Sequence, residues 1–522
     1  MIVQCWDMDF EIDRRKLLKA TGAGMATVTI ATGAASAVTD LADLPGDGTE
    51  ANPYELDSFD DLLAIDQDLD ANYILTDNIE FEGEGPISPL AFGGGDGYYY
   101  YYYGGSSFFT GTLDGQGYEI RNFEIEGSYY SGSTGLFAGI GPGGVVKNLN
   151  IVNINVTEGG PTGGLAGEFD GGQDGEIRNV SATGTVEGGF RTGGLVGRMS
   201  SGTITDSSSS ATVGGSNEIG GLVGRIDGGE IIRTYAEGDV GPAGESSGFD
   251  VGGFVGELDD GNLTLCFATG NVEGGDNVGG FAGNFDDGTV TKAYARGDVT
   301  GIGGEAGPLG GFVGDMGSFS GTPTVEEVYS TGAVTNGFGG GLIGSFDPPE
   351  NGSINEPIFS LSSHANISYW DVPASGQETS DGGVGLGDIE DTPPADEMTG
   401  DDAPNNMAGF DFDNTWVAIT GDENAIIGFR PAETQITVQA TQPTGPGYPV
   451  FGWQIEEDEK TCIDRRKLGR GQEDDECPFD RDIERGGSRR ELDRNTGRGG
   501  DGEHTDSETS RRDRGRGSRR GR

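Results

Sequence analysis

The sequence is poor in the residues on which many enzymes and nucleic-acid-binding proteins depend. Its 522 residues include only six Lys, two His and four Cys, and they carry 87 Asp and Glu against 32 Lys and Arg, a formal charge of −55. Such acidity disfavours DNA and anionic lipid as partners for most of the chain. The chain also lacks a run of 18 strongly apolar residues, so no transmembrane helix is predicted.

Glycine is abundant, and this excludes a second group of folds. The chain contains 100 Gly, nearly three times the usual share of about 7%. Gly interrupts helices because it loses much backbone freedom on folding. Long helical bundles and coiled coils are therefore excluded, and the composition favours a soluble protein built from short strands.

The charge is unevenly distributed along the chain. Residues 460–522 contain 18 basic and 15 acidic side chains, so the excess of acid belongs to the residues before them. A surface rich in carboxylates and poor in Lys stays hydrated in molar salt, where charges are screened within about 3 Å. We interpret the composition as that of a halophile's protein; an acidic protein from ordinary salt is the alternative.

An export signal is predicted at the amino terminus. Arg14 and Arg15 precede a mildly apolar stretch, residues 20–34, and a small-residue cleavage site at residues 35–37. This arrangement resembles a twin-arginine signal, which implies an extracellular or cell-surface protein whose mature chain begins near Val38. An accidental pair of Arg before an Ala-rich stretch is the alternative.

A short motif recurs at a nearly constant interval. Successive copies are separated by 30, 27, 32, 27, 31 and 30 residues, a period typical of stacked repeats. Helical repeats of this length are excluded because Gly breaks each unit every few residues. The motif is Gly-Gly-(Leu/Phe)-x-Gly, and its copies begin at Gly163, Gly193, Gly220, Gly252, Gly279, Gly310 and Gly340.

Apolar residues occupy constant places within each unit. The third motif position is always Leu or Phe, as in Leu222 and Phe254, and in the four uninterrupted units a Val follows at offset twenty, as in Val240. Stacking the units would place like side chains about 4.8 Å apart. We therefore predict an all-β fold: a β-solenoid of about eight coils with a short N-terminal helical cap and an irregular C-terminal cap.

The repeats resemble a known family. Residues 220–224, Gly-Gly-Leu-Val-Gly, with residues 235–240, Tyr-Ala-Glu-Gly-Asp-Val, are similar to the GLUG motif of secreted and surface-attached bacterial and archaeal proteins. Residues 109–117 and 368–371 resemble the opening and closing segments of such proteins. The resemblance implies a β-helical, extracellular, often adhesive module, and it supplies no catalytic residue.

These patterns divide the chain into five predicted segments. Three are structured: an N-terminal cap and lead-in segment with a helix starting at Ser58, the repeat solenoid, and a C-terminal cap that contains Trp370, Trp416 and Trp453. The flanking segments are the export signal and a disordered tail rich in Arg, Gly and Asp, for which a misread frame is the alternative. The bounds are 1–37, 38–104, 105–360, 361–455 and 456–522 for signal, N-terminal cap, solenoid, C-terminal cap and tail.

An acidic ladder is the most regular candidate for chemistry. Five units carry Asp at offset seven, and stacked carboxylates about 5 Å apart favour a bridging cation such as Ca²⁺. Calcium is thus the one candidate cofactor, although Asp-Gly is also a good turn sequence on any acidic surface. The candidate ligands are Asp170, Asp227, Asp259, Asp286 and Asp347.

A run of tyrosines is the candidate binding element. Six consecutive rings between Gly97 and Gly104 are predicted to lie on a loop, where they could stack on sugars or on a partner surface. An inserted loop folded against the solenoid is the alternative. The residues are Tyr98, Tyr99, Tyr100, Tyr101, Tyr102 and Tyr103.

The chain shows no convergent catalytic set. His364 is the only His before the tail, and Lys147 and Lys292 are the only Lys of the solenoid, so neither a nucleophile–His system nor the basic group of a lyase is evident. We predict no enzyme but an exported surface or adhesion scaffold whose partners are cell-surface glycans or protein polymers. A carbohydrate-active enzyme, a lyase or glycoside hydrolase on a β-helix, is the alternative.

Overall fold

Parallel strands stacked in coils dominate the computed structural model, which confirms the predicted fold class. The structure describes residues 38–81, 86–91, 108–127, 132–157, 159–244, 246–303, 306–317, 321–346, 365–366, 368–391, 394–399, 402–412, 414–419, 426–428 and 447–454.

Three parallel sheets form the walls of the solenoid. The second and third sheets add one strand per coil and have eight and seven strands within the described residues, so the chain makes about seven full turns. The second sheet contains Phe137–Ile140, Ala166–Asp170, Val196–Ser201, Val223–Ile226, Val255–Leu258, Ala282–Phe285, Val313–Met316 and Ile343–Phe346. The third sheet contains Thr162–Gly163, Phe190–Gly193, Asn217–Gly220, Phe249–Gly252, Asp276–Gly279, Pro308–Gly310 and Phe338–Gly340.

The first sheet is broader and begins before the first copy of the motif. It holds 23 described strands, and its first member pairs in parallel with the second within the segment predicted as the N-terminal cap. The strands are Tyr54–Leu56, Asn72–Leu75, Ile79–Glu80, Thr112–Asp114, Glu119–Arg121, Glu124–Glu126, Val145–Thr157, Glu176–Glu187, Thr203–Thr205, Ser208–Ser209, Thr212–Gly215, Glu230–Ile232, Tyr235–Ala236, Val240–Pro242, Asn262–Ala268, Val272–Gly274, Thr289–Ala295, Val299–Gly301, Thr324–Ser330, Val334–Thr335, Ala365–Asn366, Tyr369–Asp371 and Val384–Leu386.

Ladders of identical or similar side chains fill the core. The Leu and Phe of the motif are fully buried, and Phe281 stacks 4.7 Å from both Phe254 and Phe312. Cys266 is fully buried in the same cluster, as a small core residue should be. A second apolar strip joins the Val ladder of the first sheet, such as Val240, to residues of the third sheet, such as Val251.

Close packing of the second sheet on the third explains the last Gly of the motif. A Cβ atom at Gly197 would lie 2.6 Å from the carbonyl oxygen of Gly167 and 2.7 Å from the backbone of Pro161, just before the first strand of the third sheet. Carbon atoms do not approach backbone atoms so closely, so only Gly fits at this position.

The predicted N-terminal helix is present and short. An α-helix spans Phe59–Leu62, and a 3-10 helix, Leu63–Gln67, continues it. The Ser58 hydroxyl accepts a hydrogen bond from the amide of Asp61, as expected of an N-cap residue. Other described helices are equally short: Leu41–Asp43, Val372–Ser375, Asp396–Met398, Ala403–Asn406 and Gly452–Gln454. Among the described residues, no helix has the length and apolarity that a membrane crossing requires.

The C-terminal cap closes the end of the stack. Tyr369–Asp371 and Val384–Leu386 add further rungs to the first sheet. The Ser380 hydroxyl accepts hydrogen bonds from the amides of Leu342 and Ile343 at 3.2 and 2.8 Å, which satisfies the exposed end of the second sheet.

The rest of the C-terminal segment lies along the side of the solenoid instead of across its end. We call the described residues between 395 and 454 the strap. Beneath it, the first sheet presents an outward aromatic ladder, Tyr235, Phe267, Tyr294 and Tyr329, with ring centroids 4.8, 4.8 and 5.1 Å apart. The ladder and the strap bury each other in an apolar cluster separate from the main core.

Each part of the strap covers a different rung of the aromatic ladder. Trp453 lies 6.3 Å from Tyr235 and Phe451 lies 5.5 Å from Tyr294, measured between ring centroids. Trp416 lies 5.7 Å from Tyr329, the next rung. The strap therefore runs along several coils and not only the last one.

A half-buried cation connects the strap to the ladder. The guanidinium of Arg296 lies 4.5 Å from the ring centroid of Tyr294 and within 6 Å of those of Tyr329 and Tyr448. It also donates to the carbonyl oxygen of Pro449 at 2.7 Å. These contacts replace the water that Arg296 loses on burial, which an unpaired charge would not tolerate.

Candidate functional site

The acidic ladder follows the strands of the second sheet. Asp170 ends one strand of that sheet, and Asp227, Asp259 and Asp286 each follow the end of a later one. Asp347 lies outside the described residues, as do Tyr98 to Tyr103, Arg14 and Arg15 and the tail from residue 456. Four members of the predicted ladder can therefore be placed, and their surroundings differ.

Asp170 belongs to a local turn. Its carboxylate accepts a hydrogen bond of 2.6 Å from the hydroxyl of Ser201, the residue opposite it on the next coil. The Ser201 hydroxyl accepts in turn from the amide of Gly172 at 2.9 Å. The turn function that we kept as an alternative for these Asp residues fits this position.

Asp227 lies between two arginines. Its carboxylate accepts from Nε of Arg198 at 2.5 Å and from Nε of Arg225 at 2.6 Å. Burial would raise the pKa of Asp227, but the hydrogen bond from Arg225 and the charge of Arg198 outweigh burial, and the pKa is lowered. This carboxylate is thus held ionised.

Arg225 also contacts the next coil. Its guanidinium pairs with Glu257 at 2.5 Å, with Asp259, and with Glu218 at 3.5 Å. Burial alone would lower the pKa of Arg225, but the hydrogen bond to Asp227 and the charges of the other carboxylates raise it. One permanently charged side chain therefore binds carboxylates from successive coils.

Beyond Arg225, three carboxylates meet where the strands of the second sheet, Val255–Leu258 and Ala282–Phe285, carry no arginine. Glu257, Asp259 and Asp286 each bring an oxygen atom within 4.8 Å of the others, and all three are half-buried. Burial raises the pKa of Glu257 to about 8 and that of Asp286 to about 6, and neighbouring carboxylates add to both shifts. Burial likewise raises the pKa of Asp259, against the effect of Arg225. We call these residues the acidic triad.

The sequence interpretation missed Glu257, although a signal was available. Offset five of the motif points to the same surface as offset seven, and it is charged or polar in successive units. Reading the two offsets together would have placed Arg225 and Glu257 beside the Asp ladder. The offset-five residues are Glu168, Arg198, Arg225, Glu257, Asn284 and Asp315.

The triad can do one of two things chemically. Oxygen atoms at this spacing suit a hard cation such as Ca²⁺, and carboxylates with raised pKa can instead share protons near neutral pH. Of the described Asp ladder, Asp259 and Asp286 are brought together here, whereas Asp170 and Asp227 have other partners. The calcium site stays a prediction.

The other candidate catalytic groups have structural surroundings. Burial raises the pKa of the Cys266 thiol to about 11, which leaves it un-ionised and unreactive at neutral pH. Lys147 lies 3.5 Å from Asp114, and Lys292 donates to the hydroxyl of Thr415 in the strap at 3.4 Å. His364 lies outside the described residues.

Comparison with known proteins gives one relative in sequence. Part of the chain is similar to halomucin from Haloquadratum walsbyi, with 37% identity over 201 residues, which cover 37% of this chain and 2% of halomucin. The chain thus spans a very small part of that relative's length. The match fits the halophilic archaeal type indicated by the composition. No family model matches the chain.

Solved structures of similar shape are more distant. A Bacteroides ovatus protein assigned as an immunoglobulin A1 protease aligns with a TM-score of 0.40 and 21% identity, over 54% of this chain and 86% of that one. A second structure, named IgA1 protease, aligns with a TM-score of 0.34 and 19% identity, over 58% of this chain and 22% of that one. Similarity at this level carries no argument about activity.

Proposed function

We propose that this protein is an exported, non-enzymatic scaffold of the cell surface that binds glycans or other surface polymers. The observation that carries the proposal is the regularity of the solenoid. The three sheets of the solenoid continue from coil to coil in parallel register, and no described coil departs from the stack to build a cleft around converging catalytic groups. A stack of equivalent coils offers an extended surface instead.

Three further features support a place outside the cell. The acidic, Lys-poor composition suits a surface bathed in molar salt. The resemblance of the repeats to the GLUG motif and of the amino terminus to a twin-arginine signal implies export. The partial similarity to halomucin is compatible with a salt-adapted protein and with export.

Fractionation tests the proposal directly. The full chain, produced with its own signal in a haloarchaeal host, should be recovered from the medium or the cell envelope, and an Arg14→Lys, Arg15→Lys variant should be retained inside the cell. Purified protein should bind isolated envelopes in molar NaCl. Retention of the unchanged chain in the cytoplasm, or the absence of envelope binding, would refute the proposal.

The alternative, a carbohydrate-active enzyme, rests on the acidic triad. Glycoside hydrolysis needs one protonated and one ionised carboxyl group near each other, and the raised pKa of Glu257 beside Asp259 is compatible with such a pair. Release of reducing sugar from any polysaccharide, lost in Glu257→Gln and kept in Ser201→Ala, would favour the enzyme over the scaffold.

A further inference from the structure

Three exposed phenylalanines share one edge of the solenoid. Among the described residues, five large hydrophobic side chains are exposed, and three of them, Phe190, Phe249 and Phe338, are each the first residue of a strand of the third sheet. Phe338 is 82% exposed. The other two exposed side chains, Val384 and Ile389, belong to the C-terminal cap. We call the three rings the phenylalanine line.

Exposed rings are costly on this surface. Salts that are excluded from protein surfaces strengthen the association of apolar groups, and the rest of the exterior is dominated by carboxylates. In molar salt, three rings exposed along one edge therefore favour contact with another apolar surface. Binding of a ligand to the rings would account for their exposure.

The rings are spaced along the solenoid axis. Phe190 and Phe249 occupy the same register position, with Asn217 between them on the intervening strand. Phe338 lies three strands beyond Phe249 and is shifted by one residue. At about 4.8 Å per strand the successive rings are about 10 and 14 Å apart along the axis.

Polar groups lie beside the rings. The guanidinium of Arg191 is 5.6 Å from the ring centroid of Phe190 and pairs with Glu218 at 2.8 Å, and Asn217 is exposed between two rings. The Asn277 amide donates to Asp250 at 2.8 Å on the neighbouring strands. Amide, carboxylate and guanidinium groups next to open ring faces can bond hydroxyl groups while the rings contact C–H faces.

The shape and charge of this edge select one class of ligand. A globular partner needs a compact patch of roughly 800 Å² on each side, whereas a line of single rings matches an extended chain. The net charge of −55 disfavours a polyanion, and molar salt weakens binding that depends on charge. A neutral polysaccharide has the length, the apolar C–H faces and the hydroxyl groups that remain.

We propose that the phenylalanine line is the binding site of the protein for a neutral polysaccharide lying along the solenoid axis. This inference rests on the proposed scaffold function and names its ligand class and its face. Phe249 and Phe338 carry most of the contact because their rings are the more exposed, and Phe190 adds a third.

The test is affinity electrophoresis of the full chain through gels that contain dextran, galactomannan or hydroxyethylcellulose. We expect retardation by at least one of these polymers and little by alginate. Phe249→Asn with Phe338→Asn should weaken binding by about tenfold or more, because exposed aromatic anchors dominate such contacts. Asn suits these positions because the chain itself places Asn217 in the register of Phe249 and Asn277 in that of Phe338. Val384→Asn, an exposed apolar residue away from the line, is the matched control.

The outcomes distinguish failure of the assigned ligand and face from failure of the scaffold function. Binding to envelopes without retardation by any neutral polymer would overturn the ligand class and leave the scaffold intact. Retardation that survives the double variant would overturn the assigned face. A concentration-dependent dimer lost in Phe338→Asn, measured by sedimentation, would show that a second copy covers the line and would also overturn it. Retardation should persist in molar NaCl.

Discussion

Two regions of one sheet differ in a single column of side chains. On the earlier coils the outward position of the first sheet holds Asn150, Ser181 and Ser208, and on the later ones it holds Tyr235 and the rest of the aromatic ladder. The backbone pairing is the same in both. The difference is the strap, which covers the later coils alone. The same backbone therefore accepts polar or aromatic side chains in this column, and aromatic side chains are found where the strap covers it.

Removing a strap residue should have the largest effect. Trp416 is fully buried between the ladder and the strap, so Trp416→Ala should lower the free energy of unfolding by about 3–5 kcal/mol through the cavity it leaves. Ser181→Ala on the open coils removes one hydrogen bond to Asn150 of 2.8 Å and should cost about 1 kcal/mol. Urea unfolding in molar NaCl measures both, and equal losses would contradict the two-region description.

Removal of an arginine should have the next largest effect, and the loss of stability should be greater beneath the strap than at an exposed pair. Arg296→Met would remove the hydrogen bonds that the guanidinium donates to Tyr329 and to the carbonyl oxygen of Pro449, together with its contacts to the tyrosine rings, at a cost of about 1–3 kcal/mol. Arg233→Met breaks a bidentate pair with Asp206 that is partly exposed and has no strap residue in it, and it should cost under about 1 kcal/mol. Hydrogen exchange should show the loss in Arg296→Met confined to the later coils; protection lost evenly along the stack would argue against a local role.

The acidic triad should give the later coils a pH dependence. The folded pKa of Glu257 is raised to about 8 from 4.5, so the folded protein binds more protons than the unfolded chain between these values. The contribution of Glu257 to the free energy of unfolding is therefore fully present below about pH 4.5 and is lost as the pH rises to about 8. For this partly screened group the loss should be about 1–2 kcal/mol. Glu257→Gln should flatten the slope, while Ser201→Ala on the open coils should keep it. An unchanged slope in Glu257→Gln would refute the assignment.

Substitutions in a column common to both regions should have the smallest effect and should not distinguish them. Asn179 and Lys292 both have positive φ, 53° and 55°, in equivalent strands of the first sheet. Replacement of either by Ala should cost under about 1 kcal/mol, because both positions already hold a Cβ atom and Asn tolerates positive φ only somewhat better than Ala does. Thermal unfolding of the two variants should agree closely. A much larger loss in Lys292→Ala would show that its contact with Thr415 holds the strap.

The sequence was sufficient for the solenoid because the signal repeats. Leu222 and Phe254 recur at a fixed distance from Gly, and a pattern that returns about every 30 residues predicts stacking without knowledge of any single contact. The Ser58 cap was equally local and was confirmed. Features specified within one coil were therefore predictable.

Features that depend on distant residues were not predictable in the same way. The sequence indicated Cys266 as a small core residue, which is confirmed, but only the three-dimensional structure shows that the ring of Tyr294, on the paired strand, faces the strap. Trp416 lies far from Tyr329 in the sequence, so its position alongside the coils, and not at their end, carried no periodic signal. Glu257 was overlooked because acidic residues are too common for one to stand out.

Because of the position of the strap, the number of coils can change without altering how the C-terminal segment packs. Since the described strap residues contact the aromatic ladder only from Tyr235 onward, a duplicated or deleted coil among the earlier ones would leave all of these contacts in place. The number of coils can thus change at the end far from the strap, while the closing segment keeps the same contacts with the ladder. The length of the solenoid is therefore constrained at the end that the strap covers and unconstrained by the strap at the other end.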